Sequence, residues 1–303
     1  MQGELAFIGV PTSAGAHHAG QDRAPAVLRE RGLLSRLRSA GVPVTDSGDV
    51  AGEVWSPDAV GAAARNIAAV VRVARRVADA VERESRAGRV PLVVGGDCTI
   101  TPGVVAGLQR VNDDVRLAYV DGDADLSSPE RTRSGVLDAT GVAHLLGIAD
   151  TELARIGARH PLLAAHQLTL LGYDATDRDS YDAAALAARP ELVHADDRRL
   201  REDPDGCTAR ALAALRDRGG RDAAVVVHFD IDAVDSRDLP LANFPHYGTG
   251  VPAETARRVL RGLLAAPGVA AVVLTEVNPT HDPDGALLDR YVELVVGALA
   301  GRA

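Results

Sequence analysis

The feature that most constrains this chain is an apolar run, Val115 to Val120, that leads into three alternating aspartates. Asp121, Asp123 and Asp125 are spaced so that, in an extended chain, all three carboxylates project to one face. Three like charges at the end of a buried strand repel one another unless a multivalent cation neutralises them. The pattern therefore predicts either a metal site or, if the aspartates only end the strand, a polar turn.

A second run repeats this arrangement, because the apolar stretch Ala224 to Phe229 leads directly into Asp230 and Asp232. A polar turn explains either run alone about as well as a metal site does, but it explains the two together less well. Two strand ends that each carry paired carboxylates instead predict one shared site for one or two divalent metal ions.

Strand-like and helical stretches alternate along the chain, and no linker, repeat or low-complexity tract interrupts them. The strands are continuous apolar runs, which are typical of a parallel sheet covered by helices on both faces. The longer helical patterns are predicted at 26–39, 58–86, 208–218, 252–264 and 286–300. We therefore predict an α/β fold with three α/β/α layers around a mostly parallel central sheet, formed by a single domain over residues 1–303.

Polar residues follow four of the predicted strands. Besides the two aspartate runs, the segment Gly96 to Cys98 follows one strand and Glu276 follows the last. Ligands of parallel sheets bind beyond the carboxyl ends of the strands. These four strand ends therefore predict one site on one edge of the sheet.

The charged residues limit which partners the chain can bind and which reactions it can catalyse. The formal net charge is −9, which argues against nucleic acid or an anionic membrane surface as a partner. All 33 basic residues are arginine, so Schiff-base chemistry and a phosphate-loop lysine are excluded. The two cysteines are far apart, no signal peptide is recognisable, and no apolar run is long enough to span a bilayer. We therefore expect a cytoplasmic protein.

Four short elements resemble, in the same order, those of the ureohydrolase superfamily of arginases, agmatinases and formimidoylglutamases. Residues 95–99, GGDCT, are similar to the family's GGDHS, and residues 121–125, DGDAD, to its DAHxD. Residues 229–232, FDID, are similar to SxDxD, and residues 276–279, EVNP, to the ENP-type element. The resemblance covers nearly the whole chain and implies an arginase-like fold and a homo-oligomer.

The chain departs from that family at its histidines. Cys98 and Asp123 stand where the family has its two histidine metal ligands. Asp138 stands at the position of the proton-relay histidine in the family's SGNLHG loop. These replacements add negative charge to the site, and a more anionic set of ligands leaves each metal a weaker Lewis acid.

The resemblance also bears on the substrate. In the loop that holds the α-carboxylate of an amino acid in the family, Ser134 is retained, whereas Ser127 and Val136 are changes. Asp177 corresponds to the acidic residue that contacts the substrate's amino group. Because residues expected to bind the amino-acid end of the substrate have changed, the resemblance implies a small cationic substrate other than arginine.

The resemblance implies a hydroxide that bridges two Mn²⁺ ions and attacks the central carbon of a guanidinium or amidine. The implied metal ligands are Cys98, Asp121, Asp123, Asp125, Asp230 and Asp232. Asp125 would also pass a proton to the leaving amine, Asp138 would take the place of the relay residue, and Glu276 would pair with the cationic group. Because a thiolate favours softer metals, one or two ions of Mn²⁺, Zn²⁺ or Fe²⁺ remain open.

Three functions compete on these residues. The leading prediction is a metal-dependent hydrolase of a non-peptide C–N bond in a guanidino, hydroxyguanidino or formimino compound. The second is a non-catalytic or regulatory relative, since both histidine ligands and the relay histidine are absent together. The third is an amidinohydrolase with Cys98 as nucleophile, which is disfavoured because the surrounding carboxylates would raise the pKa of its thiol.

Two further histidines fall near the predicted site. His228 is on the same side of its strand as Asp230, which predicts a supporting role behind the metal ligands. His246 lies in a glycine-containing loop that is predicted to border the substrate pocket.

Overall fold

A computed structural model of the chain describes residues 3–58, 63–217 and 223–301, whose strands form one eight-stranded sheet. The strands are β1 (Leu5–Gly9), β2 (Val44–Asp49), β3 (Val90–Val94), β4 (Val115–Val120), β5 (Leu168–Tyr173), β6 (Val193–Asp196), β7 (Ala224–Asp230) and β8 (Val269–Thr275). Their order across the sheet is β2-β1-β3-β8-β7-β4-β5-β6, and every neighbouring pair is parallel. The prediction of a mostly parallel sheet is therefore confirmed.

Helices cover both faces of the sheet. They are α1 (Ala24–Glu30), α2 (Leu33–Ser39), α3 (Ile67–Arg86), α4 (Thr101–Gln109), α5 (Gly141–Leu145), α6 (Ala183–Ala187), α7 (Asp197–Glu202), α8 (Pro204–Asp217), α9 (Ala253–Leu264) and α10 (Ala286–Ala300). One core cluster joins the sheet to α1, α2, α8, α9 and α10, and a second joins its other face to α3, α4 and α5. The three-layer α/β/α prediction is confirmed.

The strands are apolar throughout because both of their faces are buried. In β3, Leu92 and Val94 belong to the first core cluster, whereas Val93 between them belongs to the second. Successive side chains of a strand point to opposite faces, so a strand inside a three-layer fold needs apolar residues at every position.

Two predicted helices differ from the structure. The helix predicted at 58–86 begins at Ile67, because Ala64 and Asn66 take left-handed backbone conformations with φ of 56° and 57°. Residues 59–62 of that prediction lie outside the described part of the chain. The helix predicted at 26–39 is divided into α1 and α2 because Gly32 is left-handed, with φ of 76°.

The topology brings together the strand ends that carry the predicted site residues. Strands β3, β8, β7 and β4 are consecutive neighbours at the centre of the sheet, and all four point in the same direction. Their carboxyl ends therefore form one continuous edge. Over the described ranges, no helix is long and apolar enough to cross a membrane.

Candidate metal centre

A pocket opens at the carboxyl ends of β3, β4, β7 and β8. It is lined by His17, Cys98, Asp121, Asp123, Asp125, Asp138, Ala139, Asp230, Asp232, Phe244 and Glu276. The space between its atoms, counting the open mouth, is about 300 Å³. The structure thus brings together all six predicted metal ligands and all three predicted catalytic residues.

The three aspartates after β4 line the pocket, but not through the strand alternation that the sequence predicts. The strand ends at Val120, and Asp125 takes a left-handed conformation with φ of 53°, so the three carboxylates do not alternate along a strand. The Asp121 Oδ1 atom accepts a hydrogen bond from the Asp123 backbone N–H at 2.7 Å. The Asp125 Oδ2 atom accepts one from the Tyr119 hydroxyl at 2.7 Å. Local hydrogen bonds, rather than the geometry of a strand, therefore orient these carboxylates.

The aspartates after β7 are held in a similar way. The Asp230 Oδ1 atom accepts from the Asp232 backbone N–H at 2.8 Å, and the Asp232 Oδ1 atom accepts from the Gly122 backbone N–H at 2.8 Å. A Cβ at Gly122 would lie 2.5 Å from the Asp232 carbonyl oxygen, so only glycine allows the two acidic segments to approach this closely.

Cys98 lies at the centre of the pocket, directly after β3. Its thiol donates to Asp230 Oδ2 at 2.6 Å, and its backbone N–H donates to Asp138 Oδ1 at 2.7 Å. Burial, together with the neighbouring Asp230 and Asp121 carboxylates, raises the pKa of the Cys98 thiol well above its usual value. In the absence of a metal the sulfur is therefore a protonated thiol, which disfavours a free cysteine nucleophile.

Glu276 follows β8 and faces the same pocket. The Gln21 side-chain amide donates to both of its carboxylate oxygens, at 3.1 and 3.2 Å. Its φ is 64°, a left-handed conformation that a glutamate adopts only under constraint from its surroundings. Asp125 and Glu276 thus combine a buried carboxylate with an unfavourable backbone geometry, a combination concentrated at functional sites.

The carboxyl groups of Asp121, Asp230 and Glu276 have raised pKa values because they are buried beside other carboxylates. Burial is the largest cause of the raised pKa of Asp121 and of Asp230, and the Asp232 carboxylate raises both values further. Burial and the facing Asp138 carboxylate likewise raise the pKa of Glu276. A divalent cation would neutralise this charge and restore the ionised forms.

The two nearby histidines have opposite pKa shifts. Burial lowers the pKa of His228 to about 3, so its imidazole is neutral at physiological pH. Burial also lowers the pKa of His246, but the carboxylates of Asp123, Asp232 and Asp177 outweigh it and raise the value to about 10. His246 is therefore a cation while the carboxylates beside it carry no metal.

We expect metal-free protein to lose stability as the pH rises from 6.5 to 8.5. Over this range His246, whose pKa is raised to about 10, holds a proton that the unfolded chain has released, so the free energy of unfolding falls. His228, with its lowered pKa, contributes only below about pH 6.5. Urea unfolding in EDTA should show a lower midpoint at pH 8.5, and saturating Mn²⁺ or Zn²⁺ should remove most of the difference. A midpoint without metal that is equal or higher at pH 8.5 would contradict this electrostatic picture.

Of the four predicted substrate residues, Glu276 lines the pocket, whereas Ser127, Ser134 and Asp177 are not among its lining residues. The Ser134 hydroxyl donates to Asp179 Oδ2 at 2.9 Å, and the Ser127 backbone N–H donates to the Ser180 carbonyl at 3.1 Å. Asp177 accepts from the Ser180 hydroxyl at 2.6 Å, and that hydroxyl also lies 3.1 Å from Asp123 Oδ1. The roles of Ser127, Ser134 and Asp177 in substrate binding remain predictions.

The sequence predicted only minor roles for His228 and His246 and gave no indication of Gln21. His228 and His246 each belong to a group of potential metal donors whose ligand atoms lie within 4.8 Å of one another. The spacing of His228, two residues before Asp230 on one strand, was the available signal. For Gln21, which supports Glu276 from 255 positions away, the local sequence contains no signal.

The donor chemistry fits divalent metal ions. Residues in and beside the pocket offer carboxylate oxygens, one sulfur and the imidazole nitrogens of His228 and His246, in groups whose ligand atoms lie within 4.8 Å of one another. Oxygen, sulfur and nitrogen donors at this spacing could surround a divalent ion. Carboxylates alone would suit Mg²⁺ or Mn²⁺, whereas the added sulfur and nitrogen suit Zn²⁺ or Fe²⁺.

Solved structures with the same fold include an arginase and a formimidoylglutamase. An arginase from Bacillus cereus superposes with a TM-score of 0.86 at 24% identity, with 100% of this chain and 99% of that chain covered. A formimidoylglutamase from Bacillus subtilis superposes with a TM-score of 0.71 at 18% identity, with 99% and 87% covered. At these identities the similarity establishes the arginase-like fold.

The sequence comparisons agree with the fold. An arginase from Bacillus caldovelox is 26% identical over 285 residues, which is 92% of each chain. The hepatic arginase of Aquarana catesbeiana is 27% identical over 281 residues, covering 91% of this chain and 85% of the relative. A family model described as the Arginase family matches residues 3–299. The chain therefore belongs to the arginase family.

Proposed function

We propose that this chain is a metal-dependent hydrolase that cleaves a non-peptide C–N bond in a guanidino, hydroxyguanidino or formimino compound. The observation that carries the proposal is the position of Glu276, a buried carboxylate that faces the same pocket as the six candidate metal ligands. A group that can bind a cation thereby lies beside groups that can hold a metal. The family resemblance leads us to propose a homo-oligomer, and the two cysteines far apart in sequence lead us to propose a cytoplasmic location.

In this proposal Cys98, Asp121, Asp123, Asp125, Asp230 and Asp232 hold one or two divalent ions. Bound metal lowers the pKa of water and so supplies a nucleophile near neutral pH. The protein contributes the geometry, because the hydrogen bonds from the Tyr119 hydroxyl and the Gly122 and Asp232 backbone N–H groups fix the carboxylates before any substrate arrives.

Glu276 selects a cationic substrate in this proposal. The Glu276 carboxylate is aimed by Gln21, and the lining of the pocket is acidic, with no arginine among its residues. A guanidinium or amidinium group that enters would offer N–H donors to Glu276 and supply the positive charge that the site lacks. Substrate and carboxylate would then each favour the charged form of the other.

Asp125 is the residue we propose to move the proton. Water adds its oxygen to the central carbon, the C–N bond breaks, and the leaving nitrogen must gain a proton. Asp125 is buried and lines the pocket, so its carboxyl group faces the space in which the C–N bond would break. Its Oδ2 atom is held by Tyr119 at 2.7 Å and by the Gly141 backbone N–H at 3.2 Å.

The entrance of the pocket supports a substrate other than arginine. The rings of His17 and Phe244, which both line the pocket, stack with centroids 4.8 Å apart, and the Ser134 hydroxyl donates to Asp179. A stacked pair of rings suits a substrate whose remote end is apolar or short rather than an α-amino acid. Several relatives are named arginases, so arginine is the necessary reference compound.

The test is a panel of guanidino, hydroxyguanidino, formimino and amidine compounds, each assayed with Mn²⁺, Zn²⁺ and Fe²⁺. Release of urea, ammonia or formamide is the readout. We expect at least one compound to exceed arginine in kcat/KM by about tenfold or more, since one altered set of recognition contacts changes specificity by roughly that amount. Efficient arginine hydrolysis would refute the substrate proposal. No turnover of any compound by metal-loaded protein would refute the hydrolase and favour a regulatory protein.

A further inference from the structure

Two imidazoles that the predicted ligand set does not include, those of His228 and His246, lie against the lining residues of the pocket. The resemblance places the family's histidine ligands at Cys98 and Asp123, where this chain has none. His228 lies beside Cys98, and His246 lies beside Asp123. Cys98 and Asp123 therefore each have an imidazole next to them, supplied by a residue from another part of the chain.

The distances around His228 match a tetrahedral metal site. Its Nε2 atom lies 3.6 Å from Cys98 Sγ and 3.5 Å from Asp121 Oδ2, and the Sγ and Oδ2 atoms are themselves 3.6 Å apart. Zinc bonds of about 2.3 Å to sulfur and about 2.0–2.1 Å to nitrogen or oxygen would separate tetrahedral ligands by about 3.3–3.6 Å. The three atoms thus have the spacing of one face of a zinc tetrahedron.

The ring of His228 is already oriented for this role. Its Nδ1 atom lies 2.8 Å from the Thr101 hydroxyl, and the ring stacks on Tyr119 with centroids 4.0 Å apart and an angle of 4° between planes. If Nδ1 carries the proton and donates it to Thr101, the lone pair of Nε2 faces Cys98 and Asp121. Metal-bound histidines are usually held by such a hydrogen bond from the second nitrogen.

Asp230 provides the fourth donor. Its Oδ2 atom accepts the thiol proton of Cys98 at 2.6 Å, shorter than the spacing of two ligands on one zinc ion. Binding of zinc would form the S–metal bond, release that proton to solvent and let the two atoms separate. The change needs no other reactant, because the thiol alone is deprotonated.

His246 provides a donor at the opposite end of the pocket. Its Nε2 atom is buried and makes no close hydrogen bond among the described residues, but it forms ion pairs with Asp123 Oδ1 at 3.6 Å and Asp232 Oδ2 at 3.9 Å. The three ligand atoms lie within 4.8 Å of one another. A metal ion between them would replace the imidazole's proton, which is released to solvent, and would offset the repulsion of the two carboxylates.

We propose that His228 and His246 are metal ligands, and that they divide the pocket into two unlike sites. The site of Cys98, Asp121, His228 and Asp230 takes zinc, since it combines sulfur, nitrogen and oxygen donors. The second site consists of Asp123, Asp232 and His246. This inference rests on the proposed metal-dependent function and concerns only which residues hold the ions.

Zinc X-ray absorption on protein loaded with one equivalent of Zn²⁺ tests the proposal without an activity readout. We expect one sulfur at about 2.3 Å and the scattering signature of one imidazole. His228→Ala and the better space-filling His228→Gln should retain the sulfur, lose the imidazole and weaken zinc binding at least about tenfold in a chelator competition. His246→Ala should weaken binding of the second equivalent of Zn²⁺ and leave binding of the first unchanged.

His144→Ala is the matched control. His144 is fully buried and its Nε2 also lacks a hydrogen-bond partner, but it belongs to none of the donor groups found among the described residues. The variant should bind both equivalents as the wild type does. A wild-type spectrum with sulfur and no imidazole would overturn the inference and leave the proposed hydrolase intact. Bound imidazole together with no hydrolysis of any compound would refute only the hydrolase. Because the wild-type spectrum decides the question, a variant that fails to fold does not remove the test.

Discussion

Replacing Glu276 by glutamine is expected to lower kcat/KM by at least about a thousandfold while leaving metal content unchanged. Loss of one member of a buried, charge-assisted pair costs about 2–5 kcal/mol, and about 4 kcal/mol corresponds to a thousandfold. Glu276 lines the pocket and belongs to the proposed substrate contacts rather than to the proposed metal ligands. Steady-state kinetics on the preferred compound, with elemental analysis of the same sample, check both parts.

The matched control is Glu293→Gln, since the Glu293 side chain is 72% exposed and its nearest cation, Arg36, is 3.8 Å away. Its kinetics should equal those of the wild type. The Glu276 variant should also be at least as stable as the wild type without metal, because it removes one of two facing acidic groups, Glu276 and Asp138. Retention of more than about a tenth of the activity would contradict the proposed role.

Replacing Asp230 by asparagine is expected to reduce bound metal to less than about a tenth of the wild-type amount. Asp230 lies between Cys98 and Asp232, with its Oδ2 atom 2.6 Å from the thiol and its Oδ1 atom fixed by a backbone N–H. An amide keeps this shape but loses the charge that attracts the cation. Elemental analysis after dialysis against equal concentrations of Mn²⁺ and Zn²⁺ gives the occupancy.

The same substitution should have opposite effects on stability with and without metal. Metal-free Asp230→Asn protein should melt at a higher temperature than the wild type, because the substitution removes repulsion with Asp232. With metal at 100 times its dissociation constant, wild type should gain about 2.7 kcal/mol and the variant almost nothing. Asp150→Asn is the control, since that side chain is 70% exposed and pairs only with Arg155 among the ion pairs of the described residues. Equal stabilisation of the Asp230 variant by metal would show that Asp230 is not a ligand.

The sheet and the edge that carries the site were predictable because they follow from local patterns. Buried parallel strands need apolar residues on both faces, and β4, β7 and β8 each show this before their acidic residues. Strand β6, Val193–Asp196, was not predicted, because it is a short edge strand with partly exposed side chains and lacks a continuous apolar run.

The arrangement of side chains within the site was less predictable. The positive φ of Asp125 rotates its carboxylate away from the strand alternation that the sequence implied, and alternation alone does not show this. His246 reaches the site on the loop that follows β7, where Ser236 donates its backbone N–H to the His246 carbonyl at 2.8 Å. Such long-range contacts depend on the complete fold, so short sequence patterns indicate the chemistry of a site better than its exact membership.

The metal content of purified wild-type protein tests the central claim most directly. Protein dialysed against Mn²⁺, Zn²⁺ and Fe²⁺ in turn, then freed of loosely bound ions, would be analysed for each element per chain. We expect one to two divalent ions per chain, retained at neutral pH and released by acid as the carboxyl groups and the thiol take up protons. Folded protein that retains no ion above background under any of these conditions would contradict a metal centre in this pocket.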